Sequence, residues 1–345
     1  MGIVAMRRRE FLQLAGGASF AWPSLARAQR RATPALVAFI TPFTEEMATE
    51  RTLDLRAGLN QVGLVEGVDY TLALRFANGK LSRIPELTRE LLELKPRVFV
   101  VAASLSALNT TRKEAPDIPL VVTGLAADPI AMGFAESYAR PGGMITGNTM
   151  NAVGGEEALT TKRIGFFKEL VPNVARLGMI HFADSVTPVT AGNLALSERK
   201  ALRTVSEHFG FEFLNYEIRT LDDFDNAVST GLRDNVSAFY ISGDPRMNFD
   251  IPRVVASLTK SEKPTCGVYP FWAQRGLLMS YSNDLRDMMR RAGFQVAKII
   301  QGAKPGELPF EQAVKYTLVI NMKTAGRLGI TPPPTLLAAT DELVE

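Results

Sequence analysis

The chain has 345 residues, 46% of them hydrophobic, and no uninterrupted apolar run of about 18 residues, so it can fill two medium soluble cores but offers no membrane-spanning helix. Its 39 Lys and Arg face 36 Asp and Glu; residues 1–28 hold four arginines and one glutamate, and the balanced remainder has no long basic block, which excludes nucleic acid as a partner. A single cysteine, Cys266, rules out an intramolecular disulfide, and the two histidines, His181 and His208, lack any zinc-ligand spacing, so no metal is expected.

At the amino terminus Arg7, Arg8 and Arg9 precede Phe11-Leu12 and a mildly apolar stretch that runs to Leu25 and ends at Ala26-Arg27-Ala28. Positive charge, apolar stretch and a small-x-small cleavage triplet, in that order, predict an export signal over residues 1–28. The run RRREFLQLAGG resembles a twin-arginine signal, with Arg8-Arg9 as the pair, and the expected destination is the periplasm.

After the signal, short β-rich apolar runs alternate with helical patterns, the signature of parallel sheets with crossover helices. The first set reads as strands at 35–40, 70–77, 97–103 and 119–124, with helices near 48–62, 83–94 and 105–114 between them. In the second helix Ile84, Leu87, Leu91 and Leu92 fall on one face, and Lys95-Pro96 stops it. Pro141-Gly142-Gly143 marks a turn, and a second set follows: helices near 156–170, 192–209, 221–232 and 250–261, and strands at 176–182, 211–218, 236–242 and 264–268. The run 276–282 and a helix near 284–301 return the chain to the first lobe, and 315–321 is a further strand. The expected fold class is α/β, two doubly wound parallel-sheet lobes joined by a multi-strand hinge. Lobe 1 spans 33–148 plus about 283–310, lobe 2 spans 149–282, and 311–345 is left open between them.

No Walker loop, no GxGxxG after a strand and no GxSxG elbow is present, so no cofactor is expected and catalytic chemistry has little support. Open α/β sheets bind ligands at the carboxyl ends of their strands. That rule places Thr41, Phe43, Asn78, Ser104, Ser106, Thr123 and Asp128 on the first lobe's face, and His181, Asp184, Ser242, Asp244, Tyr269, Phe271 and Trp272 on the second's. Ser104, Ser106 and the helix start they precede suit an anion, and the aromatic group Tyr269, Phe271 and Trp272 suits an apolar body. Asp128 and Asp244 offer a partner for an amine, although both precede proline and also read as turn or cap residues.

Several stretches resemble the bacterial substrate-binding proteins of ABC transporters related to the tryptophan-binding type: GLVEGVDYTLALRFANG (63–79), IPELTRELLELKPRVFVV (84–101), DPIAMGFAESYARPGGMITG (128–147), FFKELVPNVARLGMI (166–180), and above all 277–345, with its Ser-Tyr strand end, Arg-Arg helix, Gly-Ala-Lys-Pro turn and Pro-Pro tail. The resemblance implies a type I periplasmic-binding-protein fold and a monomer that closes on a small molecule, an amino acid or related carboxylate. It also implies an ABC permease in the inner membrane as partner. AASLSAL (102–108) and HFADS (181–185) depart from the family's usual loops at the expected ligand face. Two other functions remain open at this point: a periplasmic ligand-sensing subunit, and a cleft hydrolase or isomerase built on Ser104, His181 and an aspartate.

Overall fold

The computed structural model describes residues 33–150, 155–183 and 194–345; the expected export signal and Asp184 lie outside them. The chain begins with β1 (Ala35–Thr41), α1 (Glu45–Gln61), β2 (Tyr70–Phe76), α2 (Ile84–Glu93), β3 (Val98–Ala102), α3 (Leu105–Glu114), β4 (Leu120–Leu125) and β5 (Ile145–Thr149). It continues through α4 (Gly155–Leu170), β6 (Arg176–Phe182), α5 (Leu194–Phe209), β7 (Glu212–Ile218), α6 (Phe224–Arg233), β8 (Ala238–Ile241), α7 (Ile251–Lys260) and β9 (Thr265–Gly267). The last stretch holds α8 (Pro270–Gln274), β10 (Met279–Asn283), α9 (Leu285–Ile300), β11 (Glu311–Gln312), β12 (Tyr316–Asn321), α10 (Met322–Arg327), α11 (Pro334–Ala339) and β13 (Glu342–Val344).

These elements form two sheets, ordered β11-β5-β4-β3-β1-β2 and β13-β12-β10-β9-β8-β6-β7. Every pairing is parallel except β10 with β12. Strands β3 and β4 are buried along their whole length, as their unbroken apolar runs require of parallel strands covered by helices on both faces. Each sheet reverses its winding beside its first strand, between β1 and β3 in one lobe and between β6 and β8 in the other. A crevice at the carboxyl end is the topological consequence of such a reversal.

The chain passes between the sheets after β5, between β10 and α9, and between β11 and β12. The returning helix α9 buries Met289, Ala292, Val296 and Ile300 with Val37 and Phe39 of the first sheet. It sits unusually close to α1: a Cβ on Gly293 would lie 2.6 Å from the Leu55 carbonyl, and one on Gly58 would run into the Arg290 backbone. Buried Asn148 on β5 fixes the same junction. Its Oδ1 accepts from Gly124 N (3.0 Å) and Thr123 Oγ1 (3.2 Å), while its Nδ2 donates to the Met288 carbonyl (2.8 Å).

The segment left open in sequence divides between the sheets: β11 extends the edge of the first, and β12 and β13 extend the second. The aromatic group expected at the second lobe's ligand face lies on a short helix: Tyr269 is its N-cap and Pro270 opens α8, where its fixed φ and missing N–H are tolerated. No described helix is long and apolar enough to cross a membrane.

Candidate functional site

The carboxyl ends of β1 and β3 are tied by Thr41, whose hydroxyl reaches toward the Ala102 carbonyl (3.5 Å). Ala103, the next residue, holds a left-handed φ of +54, an uncommon conformation for alanine at the point where β3 turns into α3. Ser104 then caps α3, accepting from Ala107 N (3.1 Å), and Ser106 falls in the helix's first turn. Phe43 is buried beyond β1, and its carbonyl accepts from the backbone of exposed Asn78 (3.3 Å), which also has a positive φ. Thr123 is buried on β4 and is held by Asn148. Asp128 is committed to its own turn, accepting from Ile130 N (2.9 Å) and Tyr138 Oη (3.4 Å).

In the second lobe His181 ends β6, buried, with Nδ1 2.9 Å from the Phe182 carbonyl. A carbonyl only accepts, so Nδ1 carries the proton there. Just past the neighbouring strand β8, buried Ser242 donates to Glu198 Oε2 (2.9 Å) and accepts from Asp244 N (3.2 Å). Asp244 caps the turn after β8 and is held by Arg246 (2.6 Å), whose guanidinium lies 4.4 Å over the Phe182 ring. Tyr269 donates to the Gly243 carbonyl (2.8 Å) and stacks on Phe271 at 5.3 Å. The structure thus joins Ser242, Asp244, Tyr269 and Phe271 in one loop cluster. Trp272 is not part of its surface: α8 turns the indole into the second lobe's core, where it is fully buried with Nε1 unpartnered.

Behind that cluster lies a charged network that the strand-end rule did not find. Arg163 of α4 and Glu198 of α5 are fully buried and share the Tyr240 hydroxyl, which accepts from Arg163 Nη1 (2.6 Å) and donates to Glu198 Oε1 (2.8 Å). Gly243 N also donates to Glu198 (3.0 Å), and Glu156 pairs with Arg163 (3.2 Å). Burial pushes the Glu198 carboxyl up, to about 8; Glu156 adds to this and Arg163 opposes it. Burial works against the Arg163 charge, but the electron-rich neighbours Tyr240, Glu156 and Glu198 more than reverse that and raise it. Both residues interrupt apolar helix faces, Arg163 between Leu159 and Phe167, Glu198 between Ala195 and Leu202, and that interruption is the signal available in sequence.

The two lobes touch across the crevice. Phe43 meets Phe249 edge-on, centroids 6.5 Å apart, and Met47 of α1 packs on the second lobe's core. Arg51, one turn further along α1, lies 4.3 Å over the Phe43 ring and within electrostatic reach of Tyr269. Burial lowers its guanidinium to about 10. Three amide atoms near these elements are buried without a partner among the described residues: Asn283 Oδ1 and Nδ2 at the end of β10, and Asn248 Oδ1 beside Phe249. The described residues contain no cluster of metal-ligating side chains.

A family model described as ABC transporter substrate binding protein matches residues 37–344. A curated relative, the tyrosine-binding protein of Clostridioides difficile, is 20% identical over 226 residues, which cover 66% of this chain and 61% of that one. Among solved structures, an ABC domain from Streptococcus pneumoniae in complex with L-Trp superposes with a TM-score of 0.77 at 19% identity, covering 90% of this chain and 100% of its own. A conserved domain protein from Vibrio cholerae gives 0.76 at 22% identity with the same coverage. With two wound parallel-sheet lobes crossed three times by the chain, and a match over nearly all the described residues, the chain belongs to the ABC transporter substrate-binding protein family.

Proposed function

We propose that this protein captures one small molecule between its lobes outside the cytoplasmic membrane and delivers it to the permease of an ABC importer. The cargo class is an amino acid or a related aromatic or aliphatic carboxylate. The observation that carries the reading is the Asn283 amide, buried at a strand's carboxyl end beside a hinge crossing with both polar atoms unsatisfied. Such a group costs about 1–3 kcal/mol unless something bonds to it, and a ligand seated in the crevice offers that partner. The relatives support the class, since one is named for tyrosine and another was crystallised with L-Trp.

Thermal unfolding with amino acids, aromatic acids, small carboxylates and polyols tests the reading. A ligand at a hundred times its dissociation constant adds about 2.7 kcal/mol to stability. One ligand per chain, recovered unchanged, is the expected outcome. Release of a product, or no shift from any class, would remove the proposal.

A further inference from the structure

Resting on the solute-binding reading above, we propose that Arg51 binds the anionic end of the cargo, and that the cargo is therefore a carboxylate-type anion with a flat apolar portion. The charges near Arg51 are already spent. Asp54, one turn along α1, is held by both Arg286 (3.1 Å) and Arg290 (3.0 Å). Across the crevice Asp244 belongs to Arg246, and Glu198 lies behind Tyr240, Ser242 and Gly243. Among the described residues no ion pair within 4 Å holds Arg51; exposed Glu50, its chain neighbour, acts on it only at electrostatic range, and its cation has an aromatic face on one side.

Arg51 is half-buried, and a partly desolvated guanidinium without an ion-pair partner costs some folding free energy, with burial lowering its proton affinity. Residues of this kind earn their place through a ligand. The guanidinium fork suits a carboxylate because it donates two parallel hydrogen bonds to the two oxygens. The surroundings define the rest of the molecule. Phe43 covers one face of Arg51, Phe249 stands edge-on to Phe43, and Tyr269 on the other lobe is within electrostatic reach of Arg51, its hydroxyl already given to Gly243. A flat apolar group beside the carboxylate would lie against these rings, whereas a polyol would find few free donors on them. Arg51 is on the first lobe and Tyr269 on the second, so an anion at Arg51 favours the docked arrangement of the lobes.

The test is calorimetry on wild type, Arg51→Met and Arg51→Lys with matched probes: hydrocinnamate and its amide, L-tryptophan and L-tryptophanamide, L-tyrosine and L-tyrosinamide, and myo-inositol. In wild type the acid should bind at least about 10-fold more tightly than its amide, the low end for a hydrogen bond to a charged group. Arg51→Met should remove that preference by weakening the acid alone, and Arg51→Lys should restore part of it. Without ligand Arg51→Met should melt no lower than wild type, because it deletes an unpaired cation. Equal acid affinity in wild type and Arg51→Met overturns the assignment, as does an acid that binds no better than its amide. A hit confined to myo-inositol overturns the ligand class and leaves solute binding standing; silence from every probe overturns the class too, and the broader screen then decides the parent reading.

Discussion

Phe43 of the first lobe and Phe249 of the second stand 6.5 Å apart, centroid to centroid, at an interplanar angle of 66°. The pair joins residues 206 positions apart in sequence, one on each lobe. Phe249 also lies against Gly79, where an added Cβ would meet the ring at 3.4 Å, so its ring position is defined from two sides.

Phe249 is 36% exposed, so removing its ring should cost the second lobe little. The aromatic pair itself is worth about 0.5–1.5 kcal/mol, available only when the lobes are docked. Phe249→Ala should therefore weaken ligand binding by about 2- to 10-fold while the ligand-free melting temperature stays within a degree or two. Calorimetry and small-angle scattering check this, and an unchanged affinity would mean that the pair plays no part in closure.

Asn283 should show the opposite balance. Leucine has the same branched heavy-atom skeleton, slightly bulkier, and no polar atoms, so Asn283→Leu removes two unsatisfied groups from a fully buried site. We expect unfolding in denaturant to require about 1–2 kcal/mol more, and ligand-induced stabilisation to vanish. Retained ligand binding with a gain in stability would make the amide a structural flaw rather than a contact.

The alternation of strands and helices was legible because parallel strands buried on both faces need continuous apolar runs, and β3 and β4 have them. Ser104's place before a helix start was legible, and in the structure its hydroxyl caps α3. Trp272, expected with Tyr269 and Phe271 on the ligand face, is buried instead, because Pro270 starts a helix there and turns the indole inward. Arg51 carried no signal: it is an ordinary polar position on α1, and its stacking on Phe43 is visible only in the structure. Arg163 and Glu198 are intermediate cases, since each is a charge on an apolar face and a strict reading of the helical period would have flagged both.

The approach of α1 to α9 depends on Gly58, because a methyl there collides with the Arg290 backbone rather than with a movable side chain. Alanine is the better helix former by about 1 kcal/mol, but overpacking of a rigid contact costs about 1–3 kcal/mol, so Gly58→Ala should be net destabilising. Gly326 in α10 has open space around its Cβ position, and Gly326→Ala should stabilise by up to about 1 kcal/mol. Denaturant unfolding of the two variants separates the effects. If both moved stability upward, the contact would be more compliant than its geometry implies.

Buried Glu198 and half-buried Glu156 around Arg163 predict a specific pH dependence. Glu156 and Glu198 share one arginine, so the cluster holds one negative charge more than it can neutralise, and burial raises the Glu198 carboxyl from its ordinary value of 4.5 to about 8. Between those two values the folded protein holds a proton that the unfolded chain has released. Folding stability contributed by this group is therefore fully present below about pH 4.5 and declines as the pH rises toward 8, with a slope of at most about 1.4 kcal/mol per pH unit. Glutamine does not titrate, so Glu198→Gln should flatten this decline. Denaturant unfolding of wild type and Glu198→Gln at several pH values from 5 to 8.5 decides the matter. Curves that stay parallel across that range would place the titration elsewhere and leave Glu198 ionised throughout.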